Sequence, residues 1–263
     1  MDSDGFAGLP QMSETDVMTK LLSQDEDRDQ GEPEIASSIG EQMLHMDMPL
    51  LPRSVRARIR DVCSRLSPAN AVVVGGGIGH LSAWLFDLWC SDENLRPTRE
   101  SKPSSFRIIE PGKRFGVIID RLIRRYDAID WAQVITRGWQ EVFAEALSSK
   151  ASNVAIPESA LDSVLPMPVD LVIVDLPEED RVAAASSAFD LVAPGGLVIL
   201  LEPTVPTGDV GEISQGGEAT PAQIKVQSFN DWIDLVKTVN KSHSLGFSEL
   251  SGGTLVALLK GQA

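Results

Sequence analysis

Cysteine is scarce in this chain, whose 263 residues include only Cys63 and Cys90. Two cysteines cannot build a disulfide framework in a chain of this length, and their spacing matches no metal-binding motif. Both lie on apolar faces of predicted helices, so we expect buried free thiols. Apolar runs long enough to span a membrane are also lacking, as is a basic region followed by an apolar stretch near residue 1. These absences predict a cytoplasmic protein without a signal peptide.

Positive charge is the second shortage. The chain has 23 lysines and arginines against 38 acids, a net charge of −15, which argues against nonspecific binding to nucleic acids or to membrane surfaces. Residues 1–35 hold ten acids against two bases, Lys20 and Arg28, so this stretch alone carries a net charge of −8. We expect residues 1–38 to form an acidic, flexible tail with a short helix over Val17–Leu22. The tail is a solubilising leader or an interaction segment, and residues 39–263 form one folded domain.

The most informative stretch is Asn70–Leu85, NAVVVGGGIGHLSAWL. Three β-branched residues lead into a cluster of glycines, and an apolar helical pattern follows. This order predicts a buried strand, a tight turn and a helix. Glycine permits a positive φ and the close approach of a ligand, while a helix N-terminus presents unpaired N–H groups. Units of this kind bind nucleotide-like cofactors at the carboxyl end of a parallel sheet.

Strands and helices alternate about five times along the rest of the chain, and no internal repeat is present. Further strands are predicted over Phe106–Ile109, Gln133–Ile135, Val169–Val174 and Leu197–Leu201, and a final pair over His243–Glu249 and Thr254–Leu259. The predicted fold is α/β, a doubly wound, mostly parallel seven-stranded sheet closed by a C-terminal antiparallel hairpin. The Met-rich segment Glu41–Leu51 either covers the cofactor site or packs against the core.

This order of elements resembles the class I S-adenosylmethionine-dependent methyltransferases, a Rossmann-like family. Gly75, Gly77 and Gly79 match the family's GxGxG turn, where the amino-acid part of the cofactor lies. Glu110, at the end of the second predicted strand, matches the acid that accepts hydrogen bonds from both ribose hydroxyls. A carboxylate is suited to that role because it accepts two O–H donors at once.

Two later positions extend the resemblance. Gly138, Trp139 and Gln140 fall where the family contacts adenine, and an indole or an amide is able to stack on or bond to a base. Asp175, at the end of the fourth strand, matches a cofactor-side position that also lines the substrate. The resemblance therefore implies S-adenosylmethionine as the cofactor. It also implies a small-molecule acceptor and is compatible with a homodimer.

Within the class, the spacing is most similar to that of small-molecule O-methyltransferases of the catechol type. Members that use magnesium place one ligand at the Asp175 position and an acid–amide pair after the fifth strand. This chain has Glu202 and Pro203 there, and Pro203 has no side-chain donor for an octahedral oxygen site. We therefore predict no metal. Val73 is a second departure, since the family usually has an acid at that position in the first strand.

In methyl transfer, the protein mainly positions the nucleophile and removes its proton. Asp175 is the first candidate for this work. His80 is the second, because it begins the helix after the glycine turn, where the helix dipole favours a neutral imidazole. Two alternatives stay open: a non-catalytic methyltransferase-like interaction or regulatory module, and an aminopropyltransferase of the spermidine synthase group. The Gly75–Gly77 run resembles the latter group, but Ile78 stands where its members usually have an acid.

Overall fold

The computed structural model describes residues 13–90, 102–151, 164–207 and 220–261. Strands and helices alternate along these ranges as the sequence predicts. The helices are α1 (Glu14–Leu22), α2 (Glu34–His45), α3 (Arg53–Ser64), α4 (His80–Cys90), α5 (Lys113–Arg125), α6 (Trp139–Ala151), α7 (Glu178–Leu191) and α8 (Pro221–Val239). The strands are β1 (Asn70–Val74), β2 (Ser105–Ile109), β3 (Ala132–Ile135), β4 (Val169–Val174), β5 (Val192–Leu201), β6 (Ser244–Leu250) and β7 (Gly253–Leu259).

All seven strands form one sheet in the order β3-β2-β1-β4-β5-β7-β6. Neighbouring strands from β3 through β5 are parallel, whereas β7 pairs antiparallel with both β5 and β6. The predicted fold class and the terminal hairpin are therefore confirmed. The strand order reverses direction between β1 and β4, and in open α/β sheets ligands bind outside the carboxyl ends of the strands at such a point.

Helices cover both faces of the sheet, so the central strands are apolar on both sides. Alternate residues divide between the two cores, as the two-residue period of a strand requires. In β1, Val73 packs beneath α3, α4 and α5, while Val72 and Val74 pack against α6, α7 and α8. The first core also contains a cluster of aromatic rings formed by Phe86, Trp89, Phe106, Tyr126 and Trp131.

The N-terminal acidic stretch is folded from residue 13 onwards, which differs from the tail expected through residue 38. A capping box at Ser13 starts α1, the short helix that the sequence predicts. Met18 and Leu22 are buried against β6, and Ala36 of α2 is buried in the same core. The few apolar residues of this stretch fall on one side of each helix, and that spacing outweighs the acidic composition.

The same segment buries the polar face of α3. Arg56, Arg60 and Asp61 are all buried. Asp61 accepts a hydrogen bond of 3.0 Å from the backbone N–H of Asp25, and Arg60 pairs with Asp61 at 3.2 Å. The charges of α3 are therefore satisfied by a neighbouring segment of the chain rather than by water.

Both cysteines are free thiols, as expected, but only Cys63 is buried and Cys90 is partly exposed. Burial raises the pKa of the Cys63 thiol, so Cys63 behaves as a small apolar side chain. None of the described helices combines the length and the apolar character needed to cross a bilayer.

Candidate functional site

The glycine turn between β1 and α4 has the conformation that its sequence predicts. Gly75, Gly77 and Gly79 have φ angles of +93°, +52° and +93°. Residues other than glycine rarely adopt this region of backbone conformation. The N–H groups of Gly75 and Gly76 donate to the carbonyl of Ile109 at 3.0 and 3.1 Å. The turn is thus fastened to the end of β2.

The glycines serve different purposes. A Cβ on Gly75 would lie 2.1 Å from the backbone oxygen of Asp175, so this position has no room for a side chain. Around Gly77, by contrast, the only close neighbour among the described residues is Met48, whose Cε lies 3.9 Å from where a Cβ would stand. Gly75 is therefore required by packing between β1 and β4, whereas Gly77 leaves open space that Met48 partly covers.

Glu110 lies directly after β2, beside the turn, and is buried. One carboxylate oxygen accepts from the N–H of Gly77 at 2.7 Å, and the other accepts from the N–H of Gly112 at 2.8 Å. Burial raises the pKa of Glu110, and the two N–H donors oppose that shift. Because a carboxylate has about four acceptor positions, Glu110 holds the turn in place and keeps acceptor capacity for a ligand.

Gly138 directly precedes α6, and Trp139 and Gln140 are its first two residues, but the Trp139 side chain is used differently from the prediction. The buried Trp139 indole donates to Ser187 Oγ at 2.8 Å and packs near Phe143, with 6.2 Å between ring centroids. The indole is therefore held between α6 and α7 rather than at the crevice. Gln140 is exposed, and no atom of the part of the chain that the structure describes, apart from Gly138 and its two chain neighbours, lies within 4 Å of the position of a Cβ on Gly138.

Asp175 lies directly after β4, and its N–H donates to the carbonyl of Val74 at 2.8 Å. Its carboxylate makes no hydrogen bond or ion pair with any residue that the structure describes. Burial raises the pKa of Asp175 to about 7, while Arg181 and Arg56 oppose the shift. An acid whose pKa lies near neutrality exchanges a proton readily at physiological pH, which is the property of a general base.

A guanidinium bridges the ends of β4 and β5 beside Asp175. Arg181, in the first turn of α7, donates from Nε to the carbonyl of Leu176 and from Nη1 to the carbonyl of Leu201, both at 3.2 Å. Burial lowers the pKa of Arg181, and Asp175 and two glutamates raise it. Glu202, just after β5, accepts from the indole N–H of Trp232 at 3.1 Å. The two strand ends therefore carry an acid, a fixed cation and a glutamate with one of its oxygens bonded to Trp232.

His80 is buried at the start of α4, and both of its ring nitrogens have partners. Nε2 lies 2.8 Å from a carboxylate oxygen of Glu32, and Nδ1 lies 3.2 Å from Arg56 Nη1. Because arginine only donates, Nδ1 accepts and the proton lies on Nε2. Burial and Arg56 lower the pKa of His80, with Glu32 opposing them. The imidazole is therefore neutral, as predicted, and it joins α4 to the N-terminal segment.

A cavity of about 380 Å³ lies elsewhere, at the beginning of α3 and beside the β6–β7 turn. Its walls include Gln30, Arg58 and Leu250, and none of the residues predicted as sites lines it. Among the residues that the structure describes, no group of three or more His, Cys, Asp and Glu side chains is arranged to hold a metal. The candidate site is therefore the crevice between the glycine turn and the ends of β2, β4 and β5.

Arg56 is a member of this site that the sequence analysis missed. It is buried, bonds to Glu32, Leu51 and His80, has an unpaired Nε, and influences the pKa of Asp175. Arg56 lies on the polar face of an amphipathic helix, where a charged residue carries no functional signal of its own. The sequence signal that was available is the neighbouring Pro52, which starts α3 at the carboxyl edge of the sheet. Whether other residues cover the first turn of α3, and so bury Arg56, depends on tertiary contacts.

Comparisons with known proteins agree on the fold. The O-methyltransferase from Bacillus cereus in complex with SAH superimposes with a TM-score of 0.58 and 14% identity, over 94% of this chain and 96% of that one. The O-methyltransferase TomG from Streptomyces achromogenes, in complex with SAM, gives 0.58 and 16%, over 88% and 92%. The SAH-bound methyltransferase PaMTH1 from Podospora anserina gives 0.56 and 12%, over 98% and 100%. No family model matches the sequence, and none of the curated proteins compared with it is a match.

Proposed function

We propose that this protein is an S-adenosylmethionine-dependent methyltransferase that acts on an oxygen atom of a small molecule. The observation that carries the proposal is the buried carboxylate of Glu110, held by two N–H groups beside a glycine turn of positive φ. This pairing of an acid with an open glycine turn is what an adenosyl cofactor needs at the end of a parallel sheet. The fold shared with three SAH- or SAM-bound methyltransferases supports it.

The residues present fit such a cofactor. Glu110 retains acceptor positions for two ribose hydroxyls, and the open side of Gly77 admits the amino-acid part. The open side of Gly138 leaves room for the base, which would contact backbone and the exposed Gln140 rather than the Trp139 indole. Met48 covers the turn from above and provides an apolar contact.

Asp175 is the residue that we propose as the general base. The cofactor supplies a methyl group bonded to a positively charged sulfur, which is the electrophile. Asp175 accepts the proton of the acceptor hydroxyl, because its carboxylate is unbonded and its pKa is about 7. Arg56 and Arg181 keep part of the Asp175 population ionised at neutral pH, because both favour the charged form. The two arginines also limit the directions from which an acceptor approaches.

For His80, the contacts favour a positioning role over the catalytic role that the sequence suggests. Its Nε2 proton is donated to Glu32, and its Nδ1 accepts from Arg56. Acting as a base would require the imidazole to lose the Arg56 contact while buried, which is costly. In its observed position, His80 fixes the Arg56 guanidinium and thereby the electrostatics around Asp175.

A second candidate function, a non-catalytic methyltransferase-like module, has one observation in its favour. Three side chains predicted to act on ligands are engaged within the protein: His80, Trp139 and Glu202. A protein of this kind would bind the cofactor, or only share the fold, and would transfer nothing. The unbonded Asp175 carboxylate with its raised pKa argues for the enzyme, because a structural acid would be paired.

The experiment that separates these functions uses the full chain with methyl-tritiated S-adenosylmethionine and a small-molecule extract. We expect a labelled product, and Asp175→Asn should lower the rate by about 100-fold or more while SAH affinity, measured by calorimetry, changes less than about threefold. The exposed Asp190→Asn is the matched control. The wild-type rate should rise with pH through about 7 as Asp175 loses its proton. SAH binding without any labelled product would support the non-catalytic module.

A further inference from the structure

We propose that Arg181 provides the fixed positive charge that magnesium provides in the magnesium-dependent members of the family that this chain resembles. The acceptor would then be a molecule with an acidic hydroxyl, such as a phenol, bound without metal between Arg181 and Asp175. This inference rests on the proposed function and names its acceptor class.

The position of Arg181 is the first argument. Its guanidinium donates to the carbonyl after β4 and to the last carbonyl of β5, at Leu176 and Leu201. Those strand ends are the places from which a metal ligand set would have to come. Two backbone bonds hold the side chain there, and the planar fork of arginine makes that geometry rigid.

The donor set gives the second argument, because it does not suit magnesium. Magnesium requires near-octahedral oxygen coordination. Of the three side chains at the expected positions, Asp175 is available, Glu202 accepts from the Trp232 indole with one oxygen and keeps its other acceptor positions, and Pro203 has no donor atom. A divalent cation would in addition have to lie beside the guanidinium of Arg181, and the repulsion in this partly buried place is large.

Charge arrangement around Asp175 is the third argument. Arg181 interacts electrostatically with Asp175, yet no direct ion pair joins these two described side chains. The carboxylate is thus left open beside a cation. An acidic hydroxyl placed there donates to Asp175 while its oxygen faces positive charge, so the negative charge that develops on that oxygen is stabilised. Arg56, the second guanidinium facing Asp175, is held back by its bonds to Glu32 and His80.

The step balances with these groups alone. The acceptor's O–H proton passes to the Asp175 carboxylate and later to water. The acceptor oxygen uses its electron pair to form a bond to the methyl carbon, and the electron pair of the broken carbon–sulfur bond stays on sulfur. No oxidant, reductant or metal is required, and Arg181 remains charged throughout. Phenols fit better than aliphatic alcohols because their hydroxyl is the stronger acid and needs less help from a base whose pKa is about 7.

The test uses three variants of the full chain. Arg181→Gln removes the charge, and Arg181→Lys keeps the charge but loses the planar guanidinium. The control, Arg124→Gln, changes an exposed arginine that pairs with Asp120. Labelled transfer is measured on a panel of phenols and aliphatic alcohols, with EDTA and with MgCl₂. Two readouts are independent of turnover: calorimetric titration of MgCl₂ into the SAH-loaded protein, and SAH affinity.

We expect transfer to phenols, unchanged by EDTA, and no heat of magnesium binding. Arg181→Gln should lower kcat/KM for phenols about tenfold or more, with a raised KM and an unchanged SAH affinity, and Arg181→Lys should recover part of the loss. Stoichiometric magnesium binding, loss of activity in EDTA, or a phenol KM unchanged in Arg181→Gln would overturn this inference alone. If the wild type binds no SAH, the proposed function itself fails, and if SAH binds while no panel member is methylated, the acceptor class is wrong.

Discussion

The two halves of the crevice are built in different ways. In the cofactor half, formed by Gly75–Gly79 and Glu110 at the ends of β1 and β2, the hydrogen bonds that hold the turn come from backbone N–H groups, and its shape comes from glycine conformation. In the substrate half, formed by Asp175, Arg181 and Glu202 at the ends of β4 and β5, the contacts are made by charged side chains from distant elements.

That difference decides what a sequence reveals. Backbone requirements select particular residues at fixed spacing, so the cofactor half can be recognised in the sequence as a motif. Side-chain charges that meet only in the fold leave no local pattern. The cofactor half should therefore respond to mutation mainly through shape, and the substrate half mainly through charge and pH.

The largest effect is expected from adding one methyl group to the glycine turn. Gly75→Ala places a Cβ 2.1 Å from the Asp175 oxygen at a φ of +93°, so we expect a loss of about 3 kcal/mol or more in the free energy of unfolding, or failure to fold. Gly138→Ala, at an open position, should change the free energy of unfolding by less than about 1 kcal/mol. Urea denaturation compares them, and equal losses would mean that the turn is not packed as described.

In the substrate half, Asp175→Asn should stabilise the fold while abolishing transfer. Burial raises the folded-state pKa of Asp175 to about 7 from its ordinary value of 3.8. The stability that this group contributes is complete below 3.8 and is lost as the pH rises through about 7, because the partly buried carboxylate must then carry charge. We expect the variant to be more stable by about 1–3 kcal/mol above neutrality.

That gain should shrink as the pH falls from about 7 towards 4. Unfolding midpoints at about pH 8.5 and about pH 5.5 test the trend, with the exposed Asp190→Asn as the control. A gain that is the same at both pH values would show that Asp175 is not a buried acid with a raised pKa.

The smallest effect concerns Met48, which touches the turn without bonding to it. Met48→Ala should weaken SAH binding by about two- to fivefold, since only an apolar contact is lost. Met46→Ala is the matched control, because Met46 lies in the same segment and is 50% exposed. Calorimetry compares the two variants. If both behave as the wild type, the segment after α2 does not cover the cofactor.

Particular residues show how far sequence reasoning reached. The buried strands β1, β2 and β4, the glycine turn and the terminal hairpin were predictable, because apolar periodicity and glycine are local signals. Residues 13–38 were not, since a few apolar side chains on each helix decide their packing. Trp139 was predicted at the adenine, but whether an indole faces a ligand or a neighbouring helix depends on α7, which is distant in the sequence.

The central claim is that an adenosyl group lies across the ends of β1 and β2 with its ribose on Glu110. Calorimetric titration of SAH into the wild type, Glu110→Gln and the exposed control Glu141→Gln tests it most directly. We predict one-to-one binding to the wild type and to the control, and affinity weaker by about 10- to 100-fold in Glu110→Gln, which corresponds to about 1.4–2.8 kcal/mol. Equal affinity in all three proteins, or no binding to any, would contradict the claim.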